Sequence, residues 1–183
     1  MVDKTVEILG GLNVMVANAG FMIMGPLVEM DVSEWDRIMS INVRGVMLSY
    51  KYAARQMIKQ DRGGRIIGAA SVAAKRGAPN GSAYCASKFA VRGLTQSAAQ
   101  ELAEHKITVN AYAPGCILTP MIHHPDDEKN GGPGSTTLKA SGLQALSPAD
   151  PSVIAALVSY LINPEAYFVT GQTINVDGGV FFD

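Results

Sequence analysis

Tyr84 and Lys88 stand four residues apart in the run SAYCASKFAVRG, and Ser71 lies thirteen positions before the tyrosine. On a helix, a spacing of four puts the phenol and the ammonium on one face. A free phenol has a pKa of about 10, too high to give and take protons well near neutrality. An ammonium close by favours the phenolate and lowers that value. A serine hydroxyl can hold a carbonyl or alkoxide oxygen beside the phenol. Together the three types make a device for moving a proton to or from such an oxygen. A tyrosine–lysine pair alone is weak evidence, since it also fits a solvated helix face, and the surroundings decide. Ser71 ends one candidate strand, and a Pro114-Gly115 turn follows the next. Nothing else in the chain supplies redox chemistry, so the matching half-reaction calls for a nicotinamide cofactor.

Elements that can carry these residues alternate along the chain. VDKTVEIL (2–9) has helical spacing and is stopped by Gly10-Gly11. LNVMVA (12–17), RIIGAAS (65–71) and ITVNAYA (107–113) are short apolar runs of the kind that form buried parallel strands. Ser33-x-x-Asp36 resembles a capping box opening a long helix to about residue 59, with Trp35, Ile38, Met39, Val46, Tyr50, Ala53 and Met57 as its core stripe. A second long helix spans 82–104. A shorter helix over about 150–162 and a strand at 172–176 close the pattern. The Pro/Gly-rich stretch HHPDDEKNGGPGS shows neither period. Such alternation predicts an α/β fold with a parallel sheet, whose ligands sit at the carboxyl ends of the strands. Asn42 falls on the apolar stripe of the first long helix, four residues from Ile38 and Val46. It reads either as a structural amide or as a site residue that bends the helix or holds a water.

Composition narrows the functional classes. The 183 residues are 48% hydrophobic and 17% charged, with a net charge of −1 from 15 basic and 16 acidic side chains. That balance gives no electrostatic case for nucleic acid, and no apolar run is long enough to span a membrane. With no secretory pattern at its start, the chain is expected in the cytoplasm. Two cysteines, Cys85 and Cys116, exclude a disulfide framework. His123, His124, Asp126 and Asp127 are adjacent on a loop and are not expected to converge on a metal; no metal is assigned.

In order along the chain, N-A-G at 18–20, I-N-V-R-G at 41–45, Ser71 with Tyr84 and Lys88, N-A-Y-A-P-G-C-I-L-T-P at 110–120 and T-G-Q-T-I-N-V-D-G-G at 170–179 resemble the short-chain dehydrogenases/reductases. S-K-F-A-V-R-G-L-T-Q (87–96) and the ending D-G-G-V-F-F-D look most like diacetyl reductases and butanediol dehydrogenases. The resemblance implies a doubly wound, Rossmann-like sheet and an NAD- or NADP-dependent oxidoreductase of small alcohols, ketones or diketones. It makes Tyr84 the acid/base, Ser71 the residue orienting the substrate oxygen, and Lys88 the group that tunes the phenol and binds the nicotinamide ribose. Asn42 would hold a water linking Lys88 to solvent. Asn18, Ala19 and Gly20 would line the adenosine-to-ribose side, and Pro114, Gly115, Ile117 and Thr119 the nicotinamide end. Residues of about 116–146 would be a mobile substrate lid. The two long helices would pair with their copies in a homo-oligomer through small outer-face residues Ala90, Ala98 and Ala99.

The sequence departs from that family in one large respect. Members begin with a strand, a T-G-x-x-x-G-x-G loop and a helix, then a strand whose end selects NAD or NADP; none of these is present. The chain is therefore expected to be the C-terminal portion of one such domain, lacking its first βαβαβ part. Strand 12–17 would be an open edge. The alternative expectation is a catalytically silent fragment that does not bind the dinucleotide.

Overall fold

The computed structural model describes residues 1–140 and 147–182. Four parallel strands lie side by side in chain order: β1 (Val14–Ala17), β2 (Gly64–Ala69), β3 (Ile107–Pro114) and β4 (Thr173–Val176). The register pairs Ala17 with Gly68, Ala69 with Tyr112, and Pro114 with Val176. All carboxyl ends therefore meet along one edge, where the candidate residues cluster. The parallel sheet flanked by helices is the predicted α/β, Rossmann-like architecture.

Side chains alternate between two faces, as strand geometry requires. Met15, Ala17, Ile66, Val109 and Ala111 point to one face and form the main core with helices α3 (Gly45–Gln60) and α4 (Ser82–Glu101). Val2 and Val6 of α1 (Val2–Leu9) pack on its margin, whereas Leu9 is exposed. Gly10 ends α1 in the left-handed conformation (φ 76°), a geometry glycine adopts without steric cost. Ile67, Ala69 and Tyr112 point to the other face, packed by Leu161 and neighbours on α7 (Ser152–Ile162). β1 is bonded on one side only, to β2, and its Val16 is 39% exposed. The expected open edge is there.

The first long helix is continuous but not uniform. It runs as α2 (Val32–Met39), a π-helical turn over Ser40–Arg44, and then α3. Its cap is Asp31, whose carboxylate accepts the Ser33 N–H at 2.7 Å; Ser33, the cap expected from the sequence, lies inside the first turn. Aspartate one residue before the helix is as good an N-cap as serine, so local spacing did not separate the two. Of the predicted stripe, Ile38, Val46, Tyr50, Ala53 and Met57 are buried, while Trp35 and Met39 are half-buried. Tyr50 also fixes α3 to α4 through a 3.0 Å hydrogen bond with Thr95, and its hydroxyl occupies the space a side chain at Gly68 would need.

Two expectations need correcting here. Ala99 sits in the core at 4% exposure and offers no outer face for a partner helix. Ala90 and Ala98 are each half-buried, Ala98 in part against that core. The stretch after β3 contains helical turns: α5 (Asp127–Asn130) and α6 (Ser135–Ala140) follow a 3-10 turn at Pro120–Ile122. Asp127 organises them, as its carboxylate accepts the backbone N–H groups of His124, Gly134 and Thr136 at 2.9–3.1 Å. That clasp holds the carboxyl well below the usual carboxylate range, the His124 bond contributing most. Residues 141–146 of the proposed lid lie outside the described residues.

Candidate active site

Strand β2 delivers Ser71 to the carboxyl edge. Its backbone is extended (φ −174°), and its hydroxyl caps the 3-10 turn Val72–Ala74 by accepting the Ala73 N–H at 3.1 Å. The Tyr84 phenol lies beside the same hydroxyl, which opposes the rise of its pKa. Tyr84 and Lys88 occupy the first two turns of α4. The ammonium of Lys88 lies 5.5 Å from the centroid of the Tyr84 ring. The structure thus brings all three together.

Lys88 is 4% exposed and donates to the Ala69 carbonyl at 2.8 Å. This is the only hydrogen bond of its ammonium to the described residues, so two of its three protons lack an acceptor. Burial pushes its pKa down from 10.5 to about 8. Burial also pushes the Tyr84 phenol up, with the Ser71 hydrogen bond opposing. Removal of water acts on both groups, and the ammonium faces the Tyr84 ring and the Ala69 carbonyl.

Asn42 lies in the π-helical turn and is fully buried. Its Oδ1 accepts the Phe21 N–H at 3.0 Å, and its Nδ2 donates to the Phe21 carbonyl at 2.9 Å and the Ser87 hydroxyl at 3.1 Å. Ser87 donates onward to the Tyr84 carbonyl at 2.7 Å. The amide therefore stitches the loop after β1 to the helix that carries Tyr84 and Lys88. Ser87 was not anticipated; a serine on the buried face of α4 was the available signal. Gly20, in the same loop, faces this cluster closely. A Cβ there would stand 3.2 Å from Asn42 Oδ1 and 3.4 Å from Lys88 Nζ.

Asn18 and Ala19, just past β1, are exposed at the same edge. Asn18 Oδ1 accepts a hydrogen bond from the Tyr112 hydroxyl. Pro114 ends β3, and the Gly115 N–H donates to the Val176 carbonyl at 3.1 Å. A Cβ on Gly115 would come within 2.9 Å of Asp177, so this close crossing requires glycine. Ile117 is buried and bridges Ala149, while Thr119 donates to the Ile117 carbonyl at 3.4 Å. A mainly apolar cavity of about 220 Å³ opens beside Cys116 and Ile117, against Val153, Val176 and Val180. Cys85 is a buried free thiol. Among the described residues, no group of three or more His, Cys, Asp or Glu is placed to hold a metal ion. No helix of the described residues is long and apolar enough to cross a membrane.

A nicotinamide nucleotide fits part of this arrangement. The under-bonded, buried Lys88 ammonium matches the hydroxyls of a ribose, and the absence of a side chain at Gly20 leaves room beside it. No glycine-rich turn joining a strand to a helix N-terminus exists in the sequence to receive a pyrophosphate. The fit is to one half of a dinucleotide.

Comparison with known proteins agrees with this placement. The family described as Enoyl-(Acyl carrier protein) reductase matches residues 1–181. A short-chain dehydrogenase/reductase of Armillaria gallica is 49% identical over 184 residues, covering 100% of this chain and 70% of that protein. An L-2,3-butanediol dehydrogenase of Corynebacterium glutamicum is 43% identical over 187 residues, covering 100% and 72%. The crystal structure of acetoin dehydrogenase from Enterobacter cloacae superposes with a TM-score of 0.82 at 39% identity, over 97% of this chain and 68% of that one. The chain thus spans about 70% of the length of the relatives it matches. Its sheet, its ordered motifs and these likenesses place it in the short-chain dehydrogenase/reductase family of oxidoreductases.

Proposed function

We infer that these residues perform the proton-transfer half of an NAD- or NADP-dependent interconversion of a small ketone or diketone and its alcohol. The observation carrying this reading is the buried Lys88 ammonium, held by one carbonyl against the ring of a tyrosine that lies beside Ser71. When bound, the dinucleotide supplies or accepts the hydride. Ser71 holds the substrate oxygen, and Tyr84 gives that oxygen a proton in reduction and removes it in oxidation. The phenol carries its proton at neutral pH, and burial raises its pKa further. Lys88 binds ribose hydroxyls through its spare protons, and Asn42 keeps Lys88 and the 18–21 loop in register. Pro114, Gly115, Ile117 and Thr119 bound the nicotinamide end. Relatives named for butanediol and acetoin support a vicinal oxygen-bearing substrate of about four carbons.

For the 183 residues by themselves a second reading has its own support. The free side of β1 and the exposed Val16 leave the edge next to Asn18 uncovered. Much of a dinucleotide's affinity comes from pyrophosphate contacts at a helix N-terminus, and this sequence holds no such turn. On that reading the polypeptide alone is catalytically silent. One calorimetric comparison tests both. The 183-residue polypeptide is expected to show no micromolar binding of NAD(H) or NADP(H). The same residues placed after a glycine-rich βαβ unit are expected to bind and to turn over acetoin. A micromolar isotherm for the shorter polypeptide would contradict the second reading. Absence of both binding and turnover in the longer one would contradict the first.

A further inference from the structure

Asn18, Ala69 and Tyr112 form one cross-strand row at the carboxyl edge. The pairing Ala17 with Gly68, one step earlier, and Ala69 with Tyr112 fix that row. All three side chains leave the sheet on the face covered by α7, where Ala69 and Tyr112 pack with Leu161. Adjacent strands are about 4.8 Å apart, so the phenol of Tyr112 must pass over β2 to reach β1. It can do so because the residue between them is an alanine. The Tyr112 hydroxyl then donates to Asn18 Oδ1. Tyr112 is 4% exposed, and burial pushes its pKa to about 12, so the hydroxyl keeps its proton at any working pH.

The donor and acceptor logic of an amide gives this contact a consequence. A carboxamide has an oxygen that accepts and an NH2 that donates. With its oxygen engaged by Tyr112, Asn18 must present its NH2 at the other position. Asn18 is exposed, and its Nδ2 makes no hydrogen bond to the described residues. The same Ala69 that lets the phenol pass also supplies the carbonyl that holds Lys88. The row thus spans from the nicotinamide-ribose side of the site to the end of β1.

We propose that Tyr112 is a positioning residue that locks the Asn18 amide with its NH2 toward the dinucleotide, so that the β1 end recognises an oxygen acceptor such as a sugar hydroxyl or phosphate. This rests on the cofactor reading above and adds to it a residue that touches no ligand. It also states a polarity: the edge offers a donor.

The test uses the 183 residues preceded by a glycine-rich βαβ unit, with nitrogen-15-labelled asparagine, observed by NMR with NADH as the probe. In the free protein, Tyr112→Phe is expected to shift the Asn18 side-chain NH2 resonances and leave those of the buried Asn42 in place. Ala69→Val, which narrows the passage and keeps the tyrosine, is expected to shift the Asn18 resonances in the same sense. On adding NADH, the Asn18 NH2 signals are expected to move. Tyr112→Phe is expected to weaken NADH about three- to tenfold, the scale of one neutral hydrogen bond. In an Asn18→Ala background the same change is expected to have no further effect. An equal loss in both backgrounds would make Tyr112 merely structural and overturn the proposal, as would unchanged affinity in Tyr112→Phe. If NADH moves no resonance near Lys88 or Asn18 in the parent, the cofactor reading fails first and the proposal with it.

Discussion

Lys88 and Asp127 are two enclosed ionisable groups that the chain treats in opposite ways. Lys88 sits on α4 with three protons and one carbonyl, that of Ala69. Asp127 begins α5 with its carboxylate saturated by three backbone N–H groups. The first arrangement is costly when charged, and its pKa falls to about 8. The second favours the charge, and its pKa falls far below the ordinary carboxylate value. Both shifts are downward, yet one marks a destabilised ion and the other a stabilised one. A group left short of partners is available to a ligand. A group with all of them serves to hold a loop together. The contrast separates the α4 face as a site from the 120–138 segment as scaffold, although both carry charged residues in the sequence.

Stability as a function of pH offers the strongest way to break this comparison. Folded Lys88 releases its proton near 8 and the unfolded residue near 10.5, so between those values the unfolded chain holds the extra proton and stability rises with pH. Between pH 7 and 9.5 this group alone contributes a rise of about 2 kcal/mol. Lys88→Met is expected to remove that rise and to make the protein more stable at pH 7, as urea titrations at the two pH values would show. A variant that is less stable at pH 7 would mean that the ammonium is well satisfied.

Ser87→Ala sharpens the site side. It leaves Asn42 Nδ2 short of one acceptor in a fully buried setting, which should cost about 1–2 kcal/mol in the same titrations. Asp127→Asn tests the scaffold side. The sign is that of a depressed carboxylate: the stabilisation is present above pH 4 and is lost as acid protonates the group. By amide exchange, protection at Gly134 and Thr136 is expected to fall at least about tenfold while Lys88 and its surroundings are unaffected. Protection that survives the substitution would show that Asp127 is not what holds the segment.

The strands and long helices were legible because their signal is local: apolar runs for β2 and β3, and a 3.6-residue stripe for α3. Ser71, Tyr84 and Lys88 were legible for the same reason, since spacing on one helix and one strand end fixes them. What the sequence did not yield depends on partners far along the chain. Asn42 was read as one of two things, and its bonds to Phe21 and Ser87 span 21 and 45 positions. Tyr112 reaches Asn18 across 94 positions and gave no local sign beyond being an aromatic in a run of small aliphatics. The Asp127 clasp draws on N–H groups within nine residues, yet glycine-rich composition suggested an unstructured loop because it says nothing of one carboxylate's acceptors. That burial raises the Tyr84 pKa is a matter of packing, which the sequence does not show.

Tyr84 is the proposed proton donor and acceptor, and Tyr84→Phe tests that role without disturbing Lys88 or Ser71. The substitution removes one oxygen from a half-buried ring and leaves the Lys88 ammonium in place, so binding should persist. In the 183 residues preceded by a glycine-rich βαβ unit, turnover of acetoin is expected to fall by about 10²–10⁴ while NADH affinity stays within about threefold. Retention of more than about a tenth of the turnover would show that another group moves the proton.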